Sequence, residues 1–257
     1  MGQTQGWAKS FIIAFAFVGA LRGTEAHALT TATASDFSST SQAAVSAMIR
    51  TVGLGGDQKA YMPASSMGLL LGLDFGIDVT VFTLPSDFVN AMNAAGAKLG
   101  LTAIPLPKIS LHKGLPGGID AGFSYYSASG ASLLGLDVKY VLADKLSGVV
   151  AVRASYEHNN LLFFKTNTYA VDLVASKKLP IIEPYVGIGP QLTSGSIDFA
   201  AAGASNLPAG VSNSATVFSG HAYVGLPVNL LILRVTGQYD YSFAGVSTYG
   251  ARVSLNF

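Results

Sequence analysis

Between Met67 and Val81 the chain alternates without a break. The odd positions read Met67, Leu69, Leu71, Leu73, Phe75, Ile77, Val79 and Val81, and the even ones Gly68, Leu70, Gly72, Asp74, Gly76, Asp78 and Thr80. Successive side chains of a strand point to opposite faces, so a period of two predicts one strand with a wholly apolar face and a small or acidic one. Strands of ordinary soluble domains run to about 5–6 residues. This pattern lasts much longer.

The alternation recurs along the rest of the chain. Ile119, Ala121, Phe123 and Tyr125 oppose Asp120, Gly122 and Ser124. Leu134, Leu136, Val138, Tyr140 and Leu142 oppose Gly135, Asp137 and Lys139. Val150, Val152, Ala154 and Tyr156 oppose Ala151, Arg153, Ser155 and Glu157. Tyr169, Val171, Leu173 and Ala175 oppose Asp172 and Ser176, and Ile182, Val186, Ile188 and Leu192 oppose Glu183, Tyr185 and Gln191. Leu231, Leu233, Val235, Tyr239 and Tyr241 oppose Arg234, Thr236, Gln238 and Asp240, and a last segment sets Tyr249, Ala251, Val253, Leu255 and Phe257 against Gly250, Arg252, Ser254 and Asn256. Two weaker segments complete the series. Residues 101–112 carry Pro105 and Pro107, which remove ladder donors, and residues 215–226 set Phe218, Ala222, Val224 and Leu226 against Ser219, His221 and Tyr223.

Long strands with one apolar and one polar face predict an all-β fold, an antiparallel transmembrane up-and-down β-barrel of about ten strands, with eight to twelve as the range. In lipid only a closed barrel satisfies every backbone group without helices. The competing fold is a secreted β-sandwich, whose outward faces would be richer in Lys and Glu. The connections support the barrel. Short turns are expected at 113–118, 143–145, 177–180 and 227–229, alternating with surface loops at 84–100, 127–132, 157–167, 194–214 and 243–247. Short helices are expected in 41–50, with Ser41 as N-cap, and in 86–98, where Phe88, Val89 and Met92 would pack on the barrel rim.

Composition agrees with an inside-out molecule. Half the residues are apolar, 11% are charged, and 15 Lys+Arg balance 14 Asp+Glu, which leaves no basic face for nucleic acid. Absence of cysteine excludes disulfides and thiolate chemistry. Lys9 followed by an apolar run from Phe11 to Leu21 and then Ala26-His27-Ala28 reads as a signal peptide, cleaved after Ala28. The chain therefore divides into a signal (1–28), an N-terminal segment (29–65) that either plugs the lumen or trails in the periplasm, and a barrel (66–257).

The final segment Tyr249-Gly-Ala-Arg-Val-Ser-Leu-Asn-Phe257 is similar to the C-terminal signature of bacterial outer-membrane β-barrel proteins. That resemblance implies location in the outer membrane, contact with its lipid, and recognition by the barrel-assembly machinery through Tyr249, Val253, Leu255 and Phe257. The lumen face is expected to carry Asp74, Asp78, Lys108, Asp120, Asp137, Lys139, Arg153, Asp172, Glu183, Arg234, Asp240 and Arg252. Such charges either pair into a filling network or line a narrow pore, and Gly68, Gly72 and Gly76 leave room for a water path or for a bulky neighbour. Passive passage of small solutes is the expected function, and a closed structural or adhesion-type barrel is the alternative. Leu161-Leu-Phe-Phe164 reads as an exposed apolar cluster or a collapsed loop. His158 beside Glu157 is too sparse for catalysis, His112 is placed at a turn, and neither a metal set nor a cofactor motif is visible, so no enzyme activity is expected.

Overall fold

A computed structural model describes residues 40–68, 72–94, 101–128, 130–199, 201 and 210–257. The signal peptide and its cleavage site lie outside them. The molecule is a closed antiparallel barrel of ten strands joined in sequence order. The strands are β1 (Leu73–Thr83), β2 (Ala103–Leu115), β3 (Ile119–Ala128), β4 (Ala131–Lys145) and β5 (Gly148–Leu161), then β6 (Phe164–Ser176), β7 (Tyr185–Ile197), β8 (Ser214–Leu230), β9 (Leu233–Ser242) and β10 (Val246–Asn256). β10 closes on β1 in register from Asp74↔Asn256 to Phe82↔Thr248. Among the described residues two helices accompany the barrel, α1 (Gln42–Gly55) and α2 (Ser86–Ala94).

Every strand anticipated from alternation is present, but several ends differ. β1 begins at Leu73, because Gly68 and Gly72 adopt positive φ and Met67 donates its backbone N–H to the Asp120 carboxylate. Leu69 and Leu71 lie outside the described residues. The 157–167 loop is instead a two-residue turn, Leu162-Phe163, with β5 and β6 continuing to either side. Phe163 and Phe164 are buried, so the Leu161–Phe164 cluster is a collapsed turn and not an exposed patch. The β8–β9 turn falls at Leu231-Ile232 and not at 227–229, and β4 runs on to Lys145.

Proline placement explains why the weak strands still form. Gly114 donates to Gly72 O and Leu84 to Thr102 O, so even-numbered β2 residues face β1. Pro105 and Pro107 then face β3, whose pairing stops at Ile109↔Tyr125, and no ladder bond is lost. Pro227 accepts from Glu183 N on the β7 side, beyond the last β7–β8 pair, Tyr185↔Gly225.

Burial is inverted relative to a soluble protein. Phe75, Ile77, Ile109, Leu111, Phe123, Val138, Val171, Leu173, Ile188 and Val224 are exposed on the outer face, whereas Asp74, Asp78, Lys108, Asp172 and Arg252 are buried within. No helix among the described residues is long and apolar enough to cross a membrane. The apolar face is carried by strands.

Candidate functional site: the occupied lumen

The interior is filled by residues 40–68, a strap that runs the length of the barrel. It begins at the loop end. There Gln42 donates from Nε2 to Ser214 O (3.1 Å) and accepts from Ser212 N (2.8 Å). Ser41 Oγ caps α1 by accepting from Ala44 N at 3.2 Å. α1 is buried on almost every side below its first turn. Gly53 and Gly55 bring its backbone against the wall, where a Cβ would meet Thr193 at 2.3 Å and the Phe82 ring at 2.5 Å. Around it Val45, Met48, Ile49, Val52 and Leu54 join Phe82, Phe88, Met92, Ile104, Leu106, Leu133, Phe164, Ile197 and Val246 in one apolar cluster. The loop half of the lumen is therefore a dry core. An ion pair between Arg50 and Asp87 ties α1 to α2 at its edge.

Below Gly55 the strap is extended and the interior turns polar. Asn159 Nδ2 donates to Gly56 O (3.1 Å), and Thr168 Oγ1 to Gly53 O (3.0 Å). Gln58 donates to Asp137 (3.0 Å) and accepts from Lys108 (3.0 Å) and Ser124 (2.7 Å). Lys59 Nζ lies 3.0 Å from Asp240 and also pairs with Asp57, which accepts from Gln191. Arg252 reaches Ala60 O at 3.2 Å, and Tyr61 bonds to Thr80. At the turn end Lys139 donates to Pro63 O (2.7 Å) and Ser65 O (2.6 Å), Ser176 Oγ accepts from Ala64 N (3.2 Å), and Ser65 and Ser66 donate to Glu183 (2.8 Å) and Asp120 (3.1 Å). Every strand of the barrel thus holds the strap by at least one side-chain or backbone contact.

The wall completes the network. His221 bridges two carboxylates, Nδ1 to Asp240 at 3.0 Å and Nε2 to Asp172 at 2.7 Å. Arg153 pairs with Asp172 at 2.8 Å and lies 5.0 Å from the centre of the Tyr223 ring. Arg252 bridges Asp74 and Asp78, Arg234 lies 3.6 Å from Asp74, Lys108 lies 3.4 Å from Glu157, and Lys139 pairs with Asp120 at 3.0 Å. Buried ions tolerate desolvation only when paired in this way. Asp74, Asp78, Lys108, Asp120, Asp137, Lys139, Arg153, Asp172, Asp240 and Arg252 all sit on strands and are buried. Arg234 is half-buried at the turn end. Glu183 is buried but lies in the β6–β7 connection, not on a strand.

Of the two occupants open beside Gly76, the structure holds the bulky one: Arg252 Nε would stand 2.6 Å from a Cβ there. Other expectations need correcting. His112 is not at a turn but on the inner face of β2, with Nε2 3.3 Å from Asp137. Glu157 and His158 are successive strand residues and point apart: Glu157 is buried inside, while His158 Nδ1 contacts Asn167 at 2.9 Å. Asp57, His221 and Asp240 place three potential ligand atoms within 4.8 Å of one another, but the Lys59 ammonium already supplies the cation they face. Asp57, Gln58 and Lys59 carry no periodic signal and were not legible as lumen residues. Tyr249, Val253, Leu255 and Phe257 line the outer side of β10 at the β1 seam.

A family model matches residues 11–257 of the chain. The protein belongs to DUF6588, a family of unknown function. No curated protein matches its sequence. Among solved structures it is similar to the N-terminal β-barrel domain of Pseudomonas aeruginosa OprF, with 15% identity, 71% of this chain and 97% of that chain covered, and a TM-score of 0.34. It is also similar to neisserial surface protein A (13% identity, 72% and 97% covered, TM-score 0.32). A third is Ail, the attachment invasion locus protein of Yersinia pestis (10% identity, 71% and 93% covered, TM-score 0.30).

Proposed function

We propose that this chain is an outer-membrane barrel shut by its own N-terminal strap, acting as a structural or adhesion-type surface protein and not as an open pore. One observation carries the reading: residues 40–68 fill the lumen from the loop end to the turn end, dry in one half and ion-paired in the other. Vacating the loop half would expose Val45, Met48, Ile49, Val52 and Leu54 together with the wall that covers them. Each such side chain contributes about 1.5–3 kcal/mol on burial, so the strap does not leave on thermal fluctuation. The apolar outer face supports lipid as its surroundings, since a belt of that extent in water would aggregate. The strip Tyr249, Val253, Leu255 and Phe257, on the outer face of the closing strand, suits reading by an assembly machinery. Nothing in this reading calls for a cofactor, nucleic acid or catalysis.

Planar-bilayer recording of the refolded full-length protein tests it. The trace is expected to stay silent across the usual voltage range. Reproducible single-channel steps would overturn the closed reading in favour of solute passage.

A further inference from the structure

The turn end of the barrel is basic and apolar together. Lys145 and Leu146 stand at the β4–β5 turn, and Lys177, Lys178, Leu179 and Ile181 at the β6–β7 connection. All are exposed, and Leu146 is entirely so. Lys113 lies on the outer side of β2 two residues before its end. These turns form one surface. Val141 N donates to Gly118 O across the first two (3.0 Å), and Lys178 bridges to Asp144 across the next two (2.6 Å). The exposed charges of these turns are Lys145, Lys177 and Lys178 against Asp144, an excess of two, with Lys113 half-buried on the outer wall and Glu183 buried beneath. At the loop end the exposed or half-exposed charges among the described residues are Arg50, Asp87, Lys165 and Asp198, which cancel. Among the described residues the cationic excess is confined to one rim.

Two features say what covers it. The first is continuity. The outer apolar face reaches the rim through Leu142, Leu115 and Ala175, and the exposed tips Leu146, Leu179 and Ile181 continue it beyond Lys145, Lys177 and Lys178. A rim of apolar tips interleaved with long basic side chains matches the boundary between acyl chains and headgroups, where lysine stems lie on hydrocarbon and their ammonium groups reach the phosphates. The second is charge complementarity, since Lys145 and Lys177 make no ion pair with any described residue.

We infer that the β2–β7 half of the turn rim is a docking surface for anionic phospholipid headgroups, with Lys145, Lys177 and Lys178 contacting phosphate oxygens and Leu146, Leu179 and Ile181 seated at the acyl boundary. The inference rests on the membrane reading given above. It assigns the basic rim to lipid and not to an acidic protein partner.

Spin-label electron paramagnetic resonance tests it with the full-length protein in phosphatidylcholine vesicles. Trace spin-labelled phosphatidylcholine or phosphatidylglycerol reports the fraction of lipid held at the protein surface. The wild type is expected to hold the phosphatidylglycerol label several-fold more strongly than the phosphatidylcholine label, with the preference falling as salt rises. In the triple variant Lys145→Gln, Lys177→Gln, Lys178→Gln the preference should collapse toward equality while the total held lipid is unchanged. Lys165→Gln, at the other rim, should keep it. Equal retention of both labels by the wild type overturns the inference, as does a preference that survives the triple variant. Absence of any protein-held component with either label would instead sink the membrane reading itself. The substituted side chains are exposed, so the variants are expected to fold, and migration of unheated samples on gels checks this.

Discussion

At the residue scale, the interior is organised by carboxylates that several buried groups share. Asp172 receives Arg153 and both the imidazole of His221 and the hydroxyl of Tyr223. Truncating it leaves the buried Arg153 guanidinium without a carboxylate in contact and His221 with Asp240 alone. Asp172→Ala is expected to cost about 3–5 kcal/mol, read as a shift in the urea midpoint of the detergent-refolded barrel. The ion pair Lys178–Asp144 spans only 2.6 Å, yet both side chains are about half exposed. Asp144→Ala should therefore cost less than about 1 kcal/mol. Equal effects from the two would show that the lumen network is hydrated and not sealed. A second residue-scale device is glycine under tyrosine: a Cβ on Gly187 or Gly225 would strike the ring of Tyr223 or Tyr185 at 2.0 or 2.1 Å, and one on Gly250 the hydroxyl of Tyr61 at 2.1 Å. These glycines serve close approach.

At the element scale, the strands were readable because each keeps apolar residues on its outer face, and a period of two survives wherever that face does. Their ends were less readable. Turn prediction relies on Asn-Gly or Gly-rich pairs, whereas the hairpin tips here are Leu162-Phe163 and Leu231-Ile232, with Leu162 at φ 59 and Leu231 at φ 58. The strap was legible only in part. Ser41 and the apolar spacing after it announce α1, but whether that helix sits inside depends on a wall contributed by residues up to two hundred positions away, such as Arg252 bonded to Ala60 O. Local sequence carries no trace of such a partner. α1 also makes a directional prediction, because its first turn lies at the loop mouth. Ala43 is exposed there, and the native chain has no cysteine. Ala43→Cys should react with a membrane-impermeant maleimide on intact cells, while Lys177→Cys should not. The reverse pattern would invert the barrel in the membrane.

At the scale of the whole molecule, the barrel combines two kinds of core in series. Its loop half packs like a small soluble domain, with α1 and α2 among aliphatic and aromatic side chains. Its turn half is held by ion pairs and amide contacts. The outer surface is a third, apolar layer. Such a layered interior follows from ten strands, a number between the packed small barrels and the channel-forming large ones. The wall alone encloses too much space for its own side chains to fill, and the strap supplies the missing volume.

The direction of the strap has a further consequence for how the molecule comes together. It is joined to β1 at one end of the cylinder and emerges at the other. Once β1 has met β10, residues 40–68 could reach their place only by being passed through the bore, helix and all. An open sheet has no such obstacle, because it can curl around a strap already lying on it. The seam is then a clasp that fastens over finished contents. A compact domain that stays folded, fused ahead of residue 40, discriminates the two orders during refolding: a wrapping sheet tolerates it, and a threading chain stalls.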